Sequence, residues 1–288
     1  MNLISSSARK VIVLKMIKKI LTIFALLLII FGGIGIYGAI KSKDGAARQK
    51  LSAKAPQTSI TLLEGWNNKD IAAYLEKNQI VASADFLDAT KNFDTSEYVD
   101  LLSKPKDQGL EGFLFPDTYF IPKTASTSKE MAGIIIQKTL DNFSKKITPT
   151  MNQQAALDGM DLYKIITLAS IIEKESGANQ DDRKTIAGVF YNRLKAGMPL
   201  ESDATVSFVT ETSPISTADT LIDSPYNTYK YKGLPPGPIC NPGLNSIMAA
   251  LYPTDSNNFY FLTIPETGRA VFAATYDEHL KNKQKYLK

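Results

Sequence analysis

Two glutamates, Glu173 and Glu175, close a stretch from Leu162 whose apolar residues recur at helical spacing. A helix there aligns Ile165, Leu168 and Ile172 in one stripe, and Glu175 is the next member of that row, at offsets of 3, 7 and 10. A carboxyl group on an apolar face loses hydration, which disfavours its charged form and raises its pKa, the property a general acid needs. Glu173 continues a different row through Leu162, Ile166 and Ala169. Spacing alone leaves both glutamates open as the acid, and leaves open that either is an ion-pair partner at a helix end.

Other chemistries are excluded by composition. The chain has one cysteine, Cys240, and one histidine, His279, so an intrachain disulfide cannot form and a zinc site of clustered His and Cys is nearly excluded. His279 lies in a polar helical stretch and reads as a solvated surface residue, and no G-x-S-x-G elbow accompanies it. No Walker-type phosphate loop occurs. The string Gly33-Ile34-Gly35-Ile36-Tyr37-Gly38 matches G-x-G-x-x-G, but it sits inside an apolar run without a βαβ unit and is not a nucleotide signature. A net charge of +4 spread over 288 residues, with no arginine-rich stripe, argues against nucleic acid as a partner.

The elements that must carry these carboxylates read as α+β. Ile60 to Leu63 is a short strand, a helix follows through Ile71, Tyr74 and Leu75, and Phe86, Leu87 and Ala89 mark another. Phe113 to Pro116 and Tyr119 to Pro122 read as two extended segments around a Pro-Asp turn. Beyond Thr124 the pattern turns helical, with runs Met131 to Phe143 and Leu162 to Glu175. A third helix through Ile186, Val189, Phe190 and Leu194 has Asn179, Asp181 and Asp182 as cap and first-turn acids. Past Pro199 the chain reads as loop-rich, with prolines 235, 236, 238 and 242 barring regular helix, then strands at Tyr260 to Leu262 and Ala270 to Phe272, and a helix from Tyr276.

Residues 20–40 carry no charge and are bracketed by lysines. As a helix the run is about 30 Å long, the thickness of a bilayer's hydrocarbon core, and it is longer than a signal-peptide apolar region. An uncleaved single-pass membrane anchor is expected, with residues 1–19 as a cytoplasmic tail and 41–57 as a linker.

Six ordered segments resemble one family. These are Glu111-Gly112-Phe113-Leu114-Phe115-Pro116-Asp117-Thr118-Tyr119, Ile172-Glu173-Lys174-Glu175-Ser176 with Val189 to Leu194, Leu200 to Val206, Ser224 to Tyr229, and Gly233 to Gly243. They are similar to the endolytic murein transglycosylases, the MltG or YceG-like family. The resemblance implies a small LysM-like module over residues 58–125 and a helix-rich catalytic domain with short strands over 126–288. It implies a lytic transglycosylase that cuts peptidoglycan glycan strands at the MurNAc–GlcNAc β-1,4 bond, needs no cofactor or metal, and works at the cytoplasmic membrane beside peptidoglycan synthases such as penicillin-binding proteins. It also selects Glu175, the glutamate followed by Ser, as the catalytic residue. Within such a sugar cleft, Tyr226 and Tyr229 are expected to stack on pyranose faces. Ser176, Asn192, Asp203, Thr205, Asn227 and Asn241 are expected to bind substrate, although the Asn-rich strings could equally fix loops. A non-catalytic peptidoglycan-binding scaffold and a hydrolytic muramidase are the competing readings.

Overall fold

The computed structural model describes residues 56–123, 125–176 and 180–287, so the expected membrane anchor and the expected linker as far as residue 55 lie outside the described residues, while Gln57, expected to end the linker, begins the first strand. No helix among the described residues is long and apolar enough to cross a membrane. The chain divides into two compact units, and the larger one, residues 57–121 and 125–288, holds the strand pairs and the helices.

The larger unit begins with β1 (Gln57–Thr61), α1 (Asn68–Lys77) and α2 (Ser83–Asn92), and β2 (Thr118–Pro122) pairs with β1 in a two-stranded sheet. Helix α1 starts where the sequence provides a reciprocal cap, the Asn67 side chain accepting from Asp70 N while the Asp70 side chain accepts from Asn67 N. Its buried Ile71, Ala72 and Leu75 follow the helical stripe. The expected strand at 113–116 is not one. Gly112 and Phe113 lie in a turn, and Phe113, Leu114 and Phe115 are buried as a knot of side chains, Phe113 packing on Phe143 and Tyr163 with centroids 5.2 and 6.0 Å apart. A short continuous apolar run fits a buried turn as well as a strand, which is why its pattern misled.

The helical part follows with α3 (Ser128–Lys146), α4 (Pro149–Leu157), α5 (Leu162–Glu175), α6 (Arg183–Lys195), α7 (Asp203–Thr210) and α8 (Leu244–Leu251). Helix α5 is the core of the unit. Every residue from Leu162 to Ile172 except Lys164 is buried, against α8, α6 and α4. Asp161 caps its start by accepting from Lys164 N at 2.8 Å. The expected cap of α6 differs: Asp181 and Asp182 belong to a 3₁₀ turn (Gln180–Asp182), and the Asp182 side chain accepts from Ala270 N at 2.7 Å instead of capping, while Asn179 lies outside the described residues. Helices α7 and α8 interrupt the stretch read as loop. Finally β3 (Tyr260–Thr263) and β4 (Ala270–Ala273) form an antiparallel hairpin, with Phe261 opposite Phe272, followed by α9 (Tyr276–Tyr286).

Candidate active site

Glu175 is the last residue of α5, and its carboxylate emerges into a cavity of about 430 Å³. The cavity is lined from two sets of segments. Glu201, Ser202, Asp203 and Tyr229 come from around the start of α7, whereas Tyr260, Thr263, Tyr276, His279 and Lys283 come from β3 and α9. Arg193 joins the two sets. Buried at 8% exposure, it donates from Nε to Phe259 O at 2.7 Å and from Nη1 to Leu200 O at 2.9 Å and to Glu201 Oε2 at 3.0 Å. Its guanidinium also lies 5.2 Å from the centroid of the Tyr260 ring.

Burial pushes the Glu175 carboxyl up to about 6, with the nearby Asp203 charge adding to the rise, while a hydrogen bond from Ser202 Oγ to Glu175 Oε1 at 2.5 Å and the Arg193 charge oppose it. The serine is held for this contact. It occupies the N-cap position of α7, where a hydroxyl ordinarily accepts from the first helical turn, yet it makes no side-chain cap bond. Thr205 Oγ1 donates to Ser202 O at 2.8 Å, Ser202 N donates to Thr228 Oγ1 at 3.0 Å, and the two threonine hydroxyls lie 2.9 Å apart. Glu201 adopts φ 51, a left-handed backbone that non-glycine residues seldom take.

Glu173 is committed elsewhere. Its carboxylate, 6% exposed, accepts from Arg183 Nη2 at 3.0 Å and from Gly243 N at 2.9 Å, the ion-pair role left open by the sequence. The neighbouring Ser176, the C-cap of α5, accepts from Arg183 Nε at 3.1 Å and is buried.

Of the eight side chains expected to bind sugar, Asp203 and Tyr229 line the cavity with Glu175, joined by a hydrogen bond from the Tyr229 hydroxyl to the Asp203 carboxylate. The other six do not. Asn192 faces a separate cavity and donates from Nδ2 to Ser256 O at 2.7 Å and Asn258 O at 2.9 Å, fixing the approach to β3. Asn227 Nδ2 donates to Thr220 O and Ile222 O at 2.9 and 2.8 Å, and its Oδ1 accepts from Tyr229 N, which orients the tyrosine. Asn241, fully buried, ties Trp66 O and Leu114 N to its own amide at 3.0 and 2.9 Å. Tyr226 packs on Phe208 with centroids 5.1 Å apart. Thr205 acts through Ser202, and Ser176 through Arg183. The three asparagines and Thr205 satisfy backbone groups that would otherwise be left unpaired.

The sequence pattern did not reveal Ser202, Arg193, Tyr260, Tyr276 and Lys283 as cavity residues, and it placed His279 in solvent. The histidine is instead partly buried, stacked at 26° and 5.4 Å on Tyr260. The signal was present, since Tyr276, His279 and Lys283 stand at i, i+3 and i+7 on one helical face. Among the described residues no group of three or more His, Cys, Asp or Glu could hold a metal ion.

Comparison with known proteins follows the same line. Over 268 residues the chain is 36% identical to an endolytic murein transglycosylase of Bacillus subtilis, covering 88% of this chain and 72% of that protein. It is 37% identical over 188 residues to an endolytic murein transglycosylase of Streptococcus pneumoniae, where the match covers 62% of this chain and 33% of that longer protein. A crystal structure of a yceG-like protein from Listeria monocytogenes superposes with a TM-score of 0.67 at 36% identity, over 80% of this chain and 76% of that one. A YceG-like family model matches residues 35–285, and with it the sequence motifs and the helix-rich α+β fold with its short strand pairs reach one conclusion: the chain belongs to the YceG-like family.

Proposed function

We propose that the chain is an endolytic murein transglycosylase that cleaves the β-1,4 bond between MurNAc and GlcNAc inside a glycan strand, with Glu175 as both acid and base. The activity class rests on the murein transglycosylases to which the chain is similar over most of its length. The observation that carries the residue assignment is the position of Glu175, a carboxyl group at the edge of a buried helix, opening into a cavity with its pKa raised to about 6. Protonated Glu175 gives its proton to the departing GlcNAc oxygen, which leaves poorly as an alkoxide. The resulting carboxylate takes the proton from the C6 hydroxyl of MurNAc, and that oxygen closes on C1 to leave a 1,6-anhydro end. One carboxylate serves both steps. Sugar in the cavity displaces water and so favours the protonated form at the outset.

A hydrolytic route has one observation in its favour, since Asp203 lines the same cavity and hydrolysing glycosidases use two carboxylates. Asp223 is a poorer second acid, because it bonds Lys230 Nζ at 2.8 Å and does not line the cavity. Digestion of purified peptidoglycan with the full-length protein, with mass spectrometry of the products, decides between the routes: we expect anhydro ends, and reducing ends alone would establish hydrolysis. Glu175→Gln is expected to lower turnover by about 10²–10⁴-fold with folding intact, and a near wild-type rate for that variant would remove Glu175 from the mechanism.

The β1-α1-α2-β2 segment, reading as a LysM-like module, fits a role in holding the strand, and the uncharged residues 20–40 fit a membrane anchor with the cleft on the extracytoplasmic side. An anchor joined to the domain by so short a stretch of chain confines the enzyme to strands being made near the bilayer and favours peptidoglycan synthases as neighbours.

A further inference from the structure

Helix α9 buries none of its residues, so it adds little to the core, and a helix of that length is marginal on its own in water. It is held by a capping box between Thr275 and Glu278 and by the ring contacts of its Tyr276 and His279 with Tyr260, at 5.7 and 5.4 Å. These contacts turn Tyr276, His279 and Lys283 toward the Glu175 cavity, which all three line. The charges around the cavity are unevenly matched. Arg193 is paired with Glu201, whereas Asp203, bonded by the Tyr229 hydroxyl, and Lys283 make no ion pair among the described residues. His279 Nδ1 lies out of solvent without a hydrogen-bond partner among the described residues. Tyr260 offers little open ring, because the Arg193 guanidinium and the His279 imidazole already cover it. What α9 presents to a ligand is therefore a 56% exposed tyrosine, an imidazole and an unmatched ammonium group. That set suits an anion beside an apolar stem better than a neutral sugar ring.

Murein differs from a plain glycan in the lactyl arm on alternate sugars, which ends either in a carboxylate or in a peptide that carries carboxylates. We propose that Tyr276, His279 and Lys283 form a subsite for a carboxylate on this lactyl-linked arm, so that the cleft reads the arm as well as the sugar chain. The proposal rests on murein cleavage as the proposed function and extends it to substrate choice.

The test compares initial kcat/KM of the full-length protein on three strands: peptide-bearing murein, the same murein with its carboxylates converted to amides, and murein stripped of peptide, which keeps only the lactyl carboxylate. Wild type is expected to lose about fivefold to tenfold on amidation, the scale of one charge-assisted hydrogen bond at a partly exposed site. Lys283→Met is expected to act on native murein at that lower rate and to be indifferent to amidation, while Lys283→Arg keeps most of the preference. Lys283 is exposed, so the thermal unfolding of each variant should match wild type. A stripped strand cleaved as well as native murein shows that the subsite takes a carboxylate at either place on the arm, and a fall to the amidated level assigns a peptide carboxylate. Equal wild-type rates on native and amidated strands, or a Lys283→Met protein that still prefers the native one, would overturn the subsite. If no strand is cleaved by wild type, the murein-cleaving function fails instead, and equilibrium binding of the three strands still tests the subsite by the same preference.

Discussion

Ser202 gives up a helix cap in order to reach Glu175, and the loss has a kinetic signature. Its hydrogen bond favours the carboxylate and holds the pKa down against burial. A general acid must start protonated, so kcat/KM is expected to fall tenfold per pH unit once pH exceeds about 6, the value burial gives Glu175. In Ser202→Ala the opposing hydrogen bond is gone, the pKa rises further, and that falling limb should move to higher pH. A pH profile of both proteins on one murein preparation checks the sign, and an unchanged or acid-shifted limb in the variant would show that the serine does not act through Glu175. At this scale the sequence was partly legible. The row Ile165, Leu168 and Ile172 is fully buried, as its periodicity requires, and Glu175 follows it to the cavity rim. The asparagines stayed undecided because an amide suits a sugar hydroxyl and a stranded loop carbonyl equally well, and only the fold decides which it meets.

Elements longer than about three turns announced themselves through apolar spacing, and those hidden among prolines did not. Helix α8 carries Leu244, Ile247, Met248 and Leu251 at helical offsets, but it is eight residues long and follows the proline cluster, so local breakers masked it. The same proline cluster also crowds a turn that requires glycine. Gly112 has φ 90, and a Cβ there would lie 2.6 Å from Pro238 and 2.9 Å from Ile166 Cγ2. Gly112→Ala thus combines a left-handed backbone with a clash against α5 and its neighbouring loop. We expect a loss of about 2–4 kcal/mol of stability, read as a lower denaturation midpoint in urea. A variant within about 0.5 kcal/mol of wild type, the ordinary range for surface changes, would mean that the turn relaxes without cost.

For the whole molecule, membrane attachment is the expectation that only the sequence carries, because residues 1–55 lie outside the described residues. Protease added to spheroplasts should degrade the domain beyond residue 56 and spare it in intact cells, and protection in spheroplasts would refute an extracytoplasmic domain. The helix-rich α+β character was legible from pattern alone. The cavity was not, because it is closed by segments distant along the chain, and side-chain periodicity carries no information about which faces finally meet.

That separation gives the molecule an order of assembly. Glu175 and its serine are encoded well before Tyr276, His279 and Lys283, and Arg193 cannot bind Phe259 O until the β3 segment exists. A chain caught partway through synthesis already contains the acid but only half of the cleft. Completion of the cleft therefore waits on α9, which carries three of the residues that line it.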